Sequence, residues 1–270
     1  MRADVYLTER GYVASRQRAK SLIESGNVLV DGVVLAKPSQ TLDGDHDVQI
    51  RNELPYVSRG GLKLEAALDA FHISPAGLVA IDIGASTGGF TDCLLQRGAA
   101  HVYAVDSGVG QLVPTLMQDR RVSSLEHTNA RTLSPEQVGG TLADLIVMDV
   151  SFISATYLIP RFPLLLRENA CAVCLIKPQF EVGRSMLGKG GIVKDARGHR
   201  EAVEHVLDAS VAAGMTPIAL IPSPITGGDG NREFLVQLIN QADDKRALTS
   251  SRITEVTGAV SHWKKEVVRC

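Results

Sequence analysis

The sequence predicts an α/β fold, a doubly wound sheet flanked by helices, preceded by a small α+β unit. Three observations predict it. From Val79 onward, short apolar strands alternate with amphipathic helices, the pattern of a βαβ chain. The first of these strands, Val79–Ile83, runs into a glycine-rich turn, Gly84-Ala85-Ser86-Thr87-Gly88-Gly89, and a helix; a carboxylate, Asp106, closes the following strand about twenty residues on. The first fifty residues carry their own pattern of two short helices and an Asp31-Gly32 hairpin.

Taken in order, residues 4–10 form a first helix. Ser15 caps a second helix, 16–25, because its side-chain oxygen can satisfy a first-turn N–H. That helix presents Arg16, Arg18 and Lys20 outward and turns Ala19, Leu22 and Ile23 inward; Gly26 and Asn27 end it. Strands 28–30 and 33–35 pair across Asp31-Gly32, and 48–50 adds a third, completing a unit over residues 1–50. Residues 51–60 lack periodicity, and Pro55 with Gly60-Gly61 marks a linker. A larger domain spans 61–240. It opens with an amphipathic helix, 62–71, that aligns Leu64, Ala67, Leu68 and Phe71. Its strands are Val79–Ile83, 102–105, 145–148, 173–176, 217–221 and Phe234–Ile239; its helices are 90–97, 111–118, 156–166 and 199–213. In the tail, 241–270, Ile253, Val256, Val260, Trp263 and Val267 recur at helical spacing, so a terminal helix is expected.

Composition bounds the function. At 44% hydrophobic and 21% charged residues, the chain reads as a soluble globular protein. No apolar run reaches the roughly 20 residues of a membrane span, and no apolar signal core follows Met1-Arg2-Ala3-Asp4. A cytoplasmic protein without stable membrane association is expected, and scattered cysteines fit a reducing compartment. Cys171-Ala172-Val173-Cys174 could be a redox or zinc pair, but it lies in an apolar strand and no second pair completes a site, so no metal is expected. The net charge of −2 means that any face for nucleic acid must be local, and the N-terminal unit is the place for it.

The glycine turn lets backbone approach a ligand closely, and the helix behind it offers N–H groups. Gly84, Ala85, Ser86, Thr87, Gly88, Gly89 and Phe90 would line a nucleotide-type cofactor, with Asp106 accepting from its ribose hydroxyls. The turn lacks the Gly-x-Gly-x-x-Gly spacing. A strand also ends at Asp149, where a carboxylate would oppose a phosphate and favour a sulfonium. Both points favour S-adenosylmethionine over a dinucleotide. Asn129 is either an adenine contact or an ordinary loop residue.

The alternation sends four polar residues to one rim. Lys63 opens the helix after the linker, and Asp149 ends a strand in Asp149-Val150-Ser151-Phe152. Lys177 ends the next in Ile176-Lys177-Pro178-Gln179-Phe180-Glu181, and Glu233 precedes the last in Asn231-Arg232-Glu233-Phe234. Pro178 stops its strand and fixes the backbone so that the Lys177 amine faces the cleft. Lysine, aspartate, lysine, glutamate in that order resembles the tetrad of RNA 2′-O-ribose methyltransferases of the FtsJ (RrmJ) kind. The Ser-Arg-x-x-Ala-Lys helix and Gly-x-Val-x-Val-Asp-Gly hairpin resemble the ribosomal protein S4-like RNA-binding domain. With the stretches 56–64, 84–92, 149–154, 177–181 and 188–193, residues 1–240 are similar to the hemolysin A (TlyA) family.

That resemblance implies a class I methyltransferase sheet and methyl transfer from S-adenosylmethionine to a ribose 2′-hydroxyl, typically of cytidine. The substrate would be ribosomal RNA or ribosomal subunits. Lys63, Asp149, Lys177 and Glu233 would be catalytic. Arg2, Ser15, Arg16, Arg18, Lys20 and Lys37 would contact RNA, the basic ones largely at phosphates. A ribose hydroxyl is a poor nucleophile, so Lys177 would accept its proton or orient it as a charge, held by Asp149. Lys63 and Glu233 would fix the hydroxyl and ribose, and in-line alignment would contribute most. Two other function classes stand as alternatives: a non-catalytic RNA-binding ribosome-assembly factor, and a membrane-lytic hemolysin, for whose pore formation the sequence offers no support. Base methylation fits less well, since amine-modifying enzymes often carry Asn-Pro-Pro-aromatic where this chain has Asp149-Val150-Ser151-Phe152.

Overall fold

The computed structural model describes residues 1–241 and 248–258, apart from 14, 25, 52, 53 and 229. The chain divides into two compact units, Met1–Ser58 and one that starts at Arg59.

In the first unit, α1 (Ala3–Glu9) and α2 (Arg16–Glu24) pack on an antiparallel sheet of β1 (Val28–Val30), β2 (Val33–Val34) and β3 (Val48–Ile50), in the order β2-β1-β3. Ser15 Oγ accepts the Arg18 N–H at 3.2 Å, as a helix N-cap does. Asp31 and Gly32 both have positive φ, 52° and 79°, which a two-residue hairpin matched to the sheet twist requires. The returning strand stops at Val34; Leu35 turns into the core, though its N–H still bonds the Val28 carbonyl at 2.8 Å. Leu7, Leu22, Ile23 and Val28 complete that core.

The second unit is built on a seven-stranded sheet in the order β6-β5-β4-β7-β8-β10-β9. Its strands are β4 (Val79–Ile83), β5 (His101–Val105), β6 (Val122–Leu125), β7 (Ala143–Met148), β8 (Leu166–Ile176), β9 (Thr216–Pro222) and β10 (Phe234–Ile239). The pairs among β6, β5, β4, β7 and β8 are parallel, whereas β10 runs antiparallel to both its neighbours. Strand order reverses at β4, so a crevice opens at the carboxyl ends of β4 and β7. Ile81, Ile146, Met148, Phe162 and Phe234 fill the main core, with Val203, Val206 and Leu207 of α8 (Ala196–Ala212). In the tail, α9 (Ser250–Gly258) packs on α8 and β9 and buries Ile253 and Val256; Val260, Trp263 and Val267 lie outside the described residues.

Several elements depart from the expected boundaries. β6 carries Ser123 and Ser124 at a half-buried sheet edge, so no apolar run marks it. The helix expected over 111–118 shrinks to α5 (Pro114–Met117), begun by its proline. That expected over 156–166 becomes turns of 3₁₀ helix at Ala155–Tyr157 and Ile159–Arg161, then α6 (Phe162–Leu165). Pro160 and Pro163 lack the N–H groups a continuous helix needs. α3 (Gly60–Ala70) starts within the expected linker, using the buried Gly61 in its first turn. α8 starts ahead of residue 199 because Asp195 caps it, taking the Gly198 N–H at 2.6 Å. Cys171 and Cys174 both lie in β8, three residues apart, which puts their side chains on opposite faces of the sheet. Burial raises both thiols, Cys171 to about 11.

α4 (Gly89–Gln96) follows the glycine turn and covers Asp82 of β4. This carboxylate is fully buried and accepts from Thr91 Oγ1 at 2.7 Å. Burial raises its pKa to about 7, against the Thr91 hydrogen bond and with added repulsion from Asp149 and Asp106. Between about pH 4 and 7 the folded protein therefore keeps a proton that the unfolded chain has released, so stability falls as pH rises through that window. Without cofactor, the wild type should lose a few kcal/mol, roughly, from pH 5 to 8 in urea unfolding. Asp82→Asn should flatten that slope, and an equally steep decline in the variant would contradict the assignment.

Candidate active site

The turn between β4 and α4 is bent by left-handed residues at Gly84, Ser86 and Gly88, with φ of 85°, 47° and 100°. At Gly84 the space itself demands glycine: a Cβ there would lie 2.4 Å from the backbone oxygen of Asp149. The cofactor turn and the end of β7 are thus in backbone contact. Asp106, at the end of β5, is locked on this turn, with Oδ2 accepting from Ser86 N–H at 2.8 Å and Oδ1 from Gly108 N–H at 2.7 Å. A carboxylate offers about four acceptor positions, so each oxygen keeps capacity for a ribose hydroxyl. Ala85, Gly89 and Phe90 are buried beneath the turn, Thr87 is half-buried and Ser86 exposed. Asn129 is exposed, and its side chain caps a 3₁₀ turn by accepting Arg131 N–H at 3.0 Å.

The Asp106 and Asp149 carboxylates stand close enough to the buried Asp82 to repel its charge, and Asp82 Oδ1 is buried without a hydrogen-bond partner among the described residues. An acidic pocket with a spare acceptor suits a ligand that carries cationic centres and a ribose. S-adenosylmethionine, with its sulfonium and ammonium groups, fits; a pyrophosphate would be repelled.

Beside the turn the tetrad converges as two ion pairs. Lys63, in the first turns of α3, donates from Nζ to Glu233 Oε2 at 2.5 Å, and both side chains are buried. Lys177 Nζ lies 2.6 Å from Asp149 Oδ1, in an ion pair not aligned as a hydrogen bond, and donates to Ser151 Oγ at 2.8 Å. Parallel pairing of β7 with β8, Met148 opposite Cys174, brings these strand ends together. Burial lifts the Glu233 carboxyl above the ordinary range; Lys63 and Lys177 oppose this and Asp149 reinforces it, so Glu233 feels the other three. Asn231, nearly fully buried, accepts Val193 N–H at 3.1 Å and donates to the Gly191 carbonyl at 3.2 Å, tying the 188–193 loop to the segment that carries Glu233.

The loops after β7 and β8 hold residues whose importance the sequence did not assign. Phe152 is 91% exposed and has φ of 66°, a conformation that costs a bulky residue about 1–3 kcal/mol. Its ring lies 5.3 Å from that of Phe180 in α7 (Pro178–Glu181). The Glu181 side chain is buried and accepts from Ser154 Oγ at 2.5 Å and Ala155 N–H at 2.8 Å. Burial raises its carboxyl; those two hydrogen bonds oppose the rise. The sequence signals for Phe152 and Glu181 were their place in the family-like stretches 149–154 and 177–181 and an aromatic directly after a strand-terminal acid; neither assigned these side chains a role.

In the N-terminal unit, buried Asp4 gathers two guanidinium groups: Arg2 at 2.9 and 3.2 Å and Arg16 at 3.2 Å. The Arg2 hydrogen bond, with help from Arg16 and against burial, holds Asp4 at about 2. Both arginines stay largely exposed, as do Lys37 and Lys20, the latter 3.8 Å from Glu24. Arg18 does not point outward: its guanidinium donates to the carbonyls of Leu54 and Tyr56, each at 2.9 Å. Ser15 is used as the N-cap.

The FtsJ-like methyltransferase family matches residues 56–239 and the S4 domain family residues 1–48. The chain belongs to the FtsJ-like methyltransferase family. With its S4 domain it falls in the TlyA/hemolysin A group, and its larger unit is a Rossmann-like class I methyltransferase with a mixed sheet. It is 42% identical over 256 residues, 94% of each chain, to the 16S/23S rRNA (cytidine-2′-O)-methyltransferase TlyA of Mycobacterium tuberculosis. It is 40% identical over 239 residues, 88% of this chain and 100% of the other, to Hemolysin A of Brachyspira hyodysenteriae. Among solved structures, the "Putative hemolysin from Streptococcus thermophilus" matches with a TM-score of 0.79 and 40% identity, covering 97% of this chain and 95% of that one. This FtsJ-like protein uses S-adenosylmethionine. No helix among the described residues is long and apolar enough to cross a membrane. Asp106→Ala should weaken S-adenosylmethionine binding about 10–100-fold by calorimetry, the loss expected for hydrogen bonds to a charged acceptor; unchanged affinity would remove Asp106 from the pocket.

Proposed function

We propose that the protein transfers the methyl group of S-adenosylmethionine to the 2′-oxygen of a cytidine in ribosomal RNA, free or within a subunit, in the cytoplasm. The observation that carries this reading is the convergence of Lys63–Glu233 and Lys177–Asp149 against the glycine turn. It gains support from the named activity of the 42% identical relative. Free Cys93, Cys171 and Cys174 accord with a reducing compartment.

Bound S-adenosylmethionine supplies an electrophilic methyl on a sulfonium. The chain's residues prepare the other reactant. An ammonium has three donors; Lys177 gives one to Ser151 and turns a second toward Asp149 in an ion pair without hydrogen-bond alignment. The third is available to the ribose 2′-oxygen, fixing the direction of its lone pair. Lys177 therefore acts as a charged orienter, and Asp149, its immediate neighbour, is the nearest acceptor for the hydroxyl proton as the oxygen–carbon bond forms. Lys63 and Glu233 hold the ribose from the opposite side. Phe152, exposed next to this centre, offers a face on which the nucleobase can stack. Ser86, Asp106 and the first turn of α4 seat the cofactor, while Arg2, Arg16, Lys20 and Lys37 meet phosphates.

Lys177→Ala should reduce methyl incorporation into unmodified ribosomal subunits by roughly 10³-fold or more while S-adenosylmethionine affinity stays within about threefold of wild type. Label from the wild type should map to alkali-resistant linkages, since a methylated 2′-oxygen cannot cleave the adjacent phosphodiester. Alkali-labile labelled positions, or near-normal turnover by the variant, would refute this reading.

A further inference from the structure

The loop from Asp149 to Ser154 leaves β7 beside the tetrad and is tied to the chain leaving β8 on both sides of its strained residue. Before Phe152, Ser151 Oγ accepts from Lys177. After it, Ser154 and Ala155 are both bound by Glu181, and the Phe152 ring lies against Phe180 of the same short helix. Ser154 Oγ is itself the hub of a small network, accepting Thr156 N–H at 3.2 Å and lying 2.7 Å from Thr156 Oγ1. The Glu181 side chain is only 2% exposed, so water cannot readily replace it.

A phenylalanine with positive φ does not hold that shape unaided, and the neighbours that enforce it belong mostly to the 177–181 segment. We infer that Glu181 is a positioning residue for the substrate nucleotide: its carboxylate clasps the 149–154 loop to the Lys177 segment and holds the Phe152 ring facing the RNA. Glu181 does not touch the reacting atoms. It acts through Phe152 and through the alignment of Asp149 with Lys177. This deepens, and rests on, the reading of the site as a ribose methyltransferase centre. The carboxylate accepts from one hydroxyl and one backbone N–H, while His205 Nδ1 stays 3.9 Å from Oε2, beyond hydrogen-bond reach, so geometry matters more than charge. Glutamine can reproduce it, with Oε1 accepting from Ala155 and Nε2 donating to Ser154 Oγ.

The test compares Glu181→Ala, Glu181→Gln and Ser154→Ala in the full chain, with unmodified ribosomal subunits as substrate. Glu181→Ala should lower kcat/KM for the subunit about 10–100-fold, the cost of losing alignment, while S-adenosylmethionine affinity by calorimetry changes less than about twofold. Glu181→Gln should recover activity to within about threefold, and Ser154→Ala should fall between the two. A general loss of structure would instead lower cofactor affinity and the unfolding midpoint in step with activity. A second readout separates the clasp from the chemistry. In a Phe152→Trp, Trp263→Phe background, the indole's fluorescence anisotropy should drop on Glu181→Ala and recover on Glu181→Gln. Wild-type anisotropy in Glu181→Ala, or activity in Glu181→Gln as low as in Glu181→Ala, overturns the inference. If the wild type places no methyl on ribose, the functional reading fails, and anisotropy still decides the clasp.

Discussion

The site depends on how closely the ends of β4 and β7 approach. Where Gly84 meets the Asp149 carbonyl there is no room for a side chain, and this contact puts the glycine turn directly against the strand end that carries Asp149. Any other residue at 84 would have to push the two strand ends apart, and β7 is also the partner that brings β8 and Lys177 into line. One backbone contact therefore sets the distance from donor pocket to acceptor-orienting amine. In-line transfer tolerates little error in that distance, which explains why the least adaptable feature of the rim is packing and not charge.

Charge is then arranged around that fixed geometry in compensated form. The tetrad holds two lysines and two carboxylates, each cation paired with one anion. Burying such pairs has a desolvation cost that their attraction only partly offsets, so they contribute little to stability. Their value lies in holding donors at fixed positions with less competing water than at the surface, a condition that strengthens hydrogen bonds to a reacting oxygen. Glu233 shows the balance directly, since burial wins over two nearby lysines and its carboxyl remains raised.

The sequence was most legible where backbone geometry and residue chemistry coincide. Strand, glycine turn and distant acid announced the cofactor end because glycine at a positive φ and an acid at a strand terminus are both visible as letters. The tetrad was legible as an ordered set of charges, each next to a strand or helix end. Legibility failed where tertiary context decides. β6, with its two serines, is a strand because a neighbour pairs with it and not because of an apolar pattern. Residues 156–166 have helical periodicity that Pro160 and Pro163 override. Arg18 reads as a basic contact on an exposed helix face, yet two carbonyls of the following segment capture it. The importance of Phe152 and Glu181 rests on a φ value and on burial, and neither is written in residue type.

The same acidity that suits a sulfonium creates a difficulty for an RNA enzyme. Asp106 and Asp149 lie at the strand ends beside the glycine turn, and a net charge of −2 offers no general attraction to a polyanion. Affinity for RNA must then come from elsewhere in the chain, which gives a physical reason for a separate N-terminal unit. There, Asp4 removes some of the local positive charge yet fixes Arg2 and Arg16 side by side, each with donors still exposed. Flexible lysines could supply equal charge but would lose more side-chain freedom on binding. A buried carboxylate that preorganises two guanidinium groups exchanges some electrostatic strength for a fixed arrangement of donors. If these arginines meet RNA as proposed, such a trade favours an RNA of fixed shape over any RNA.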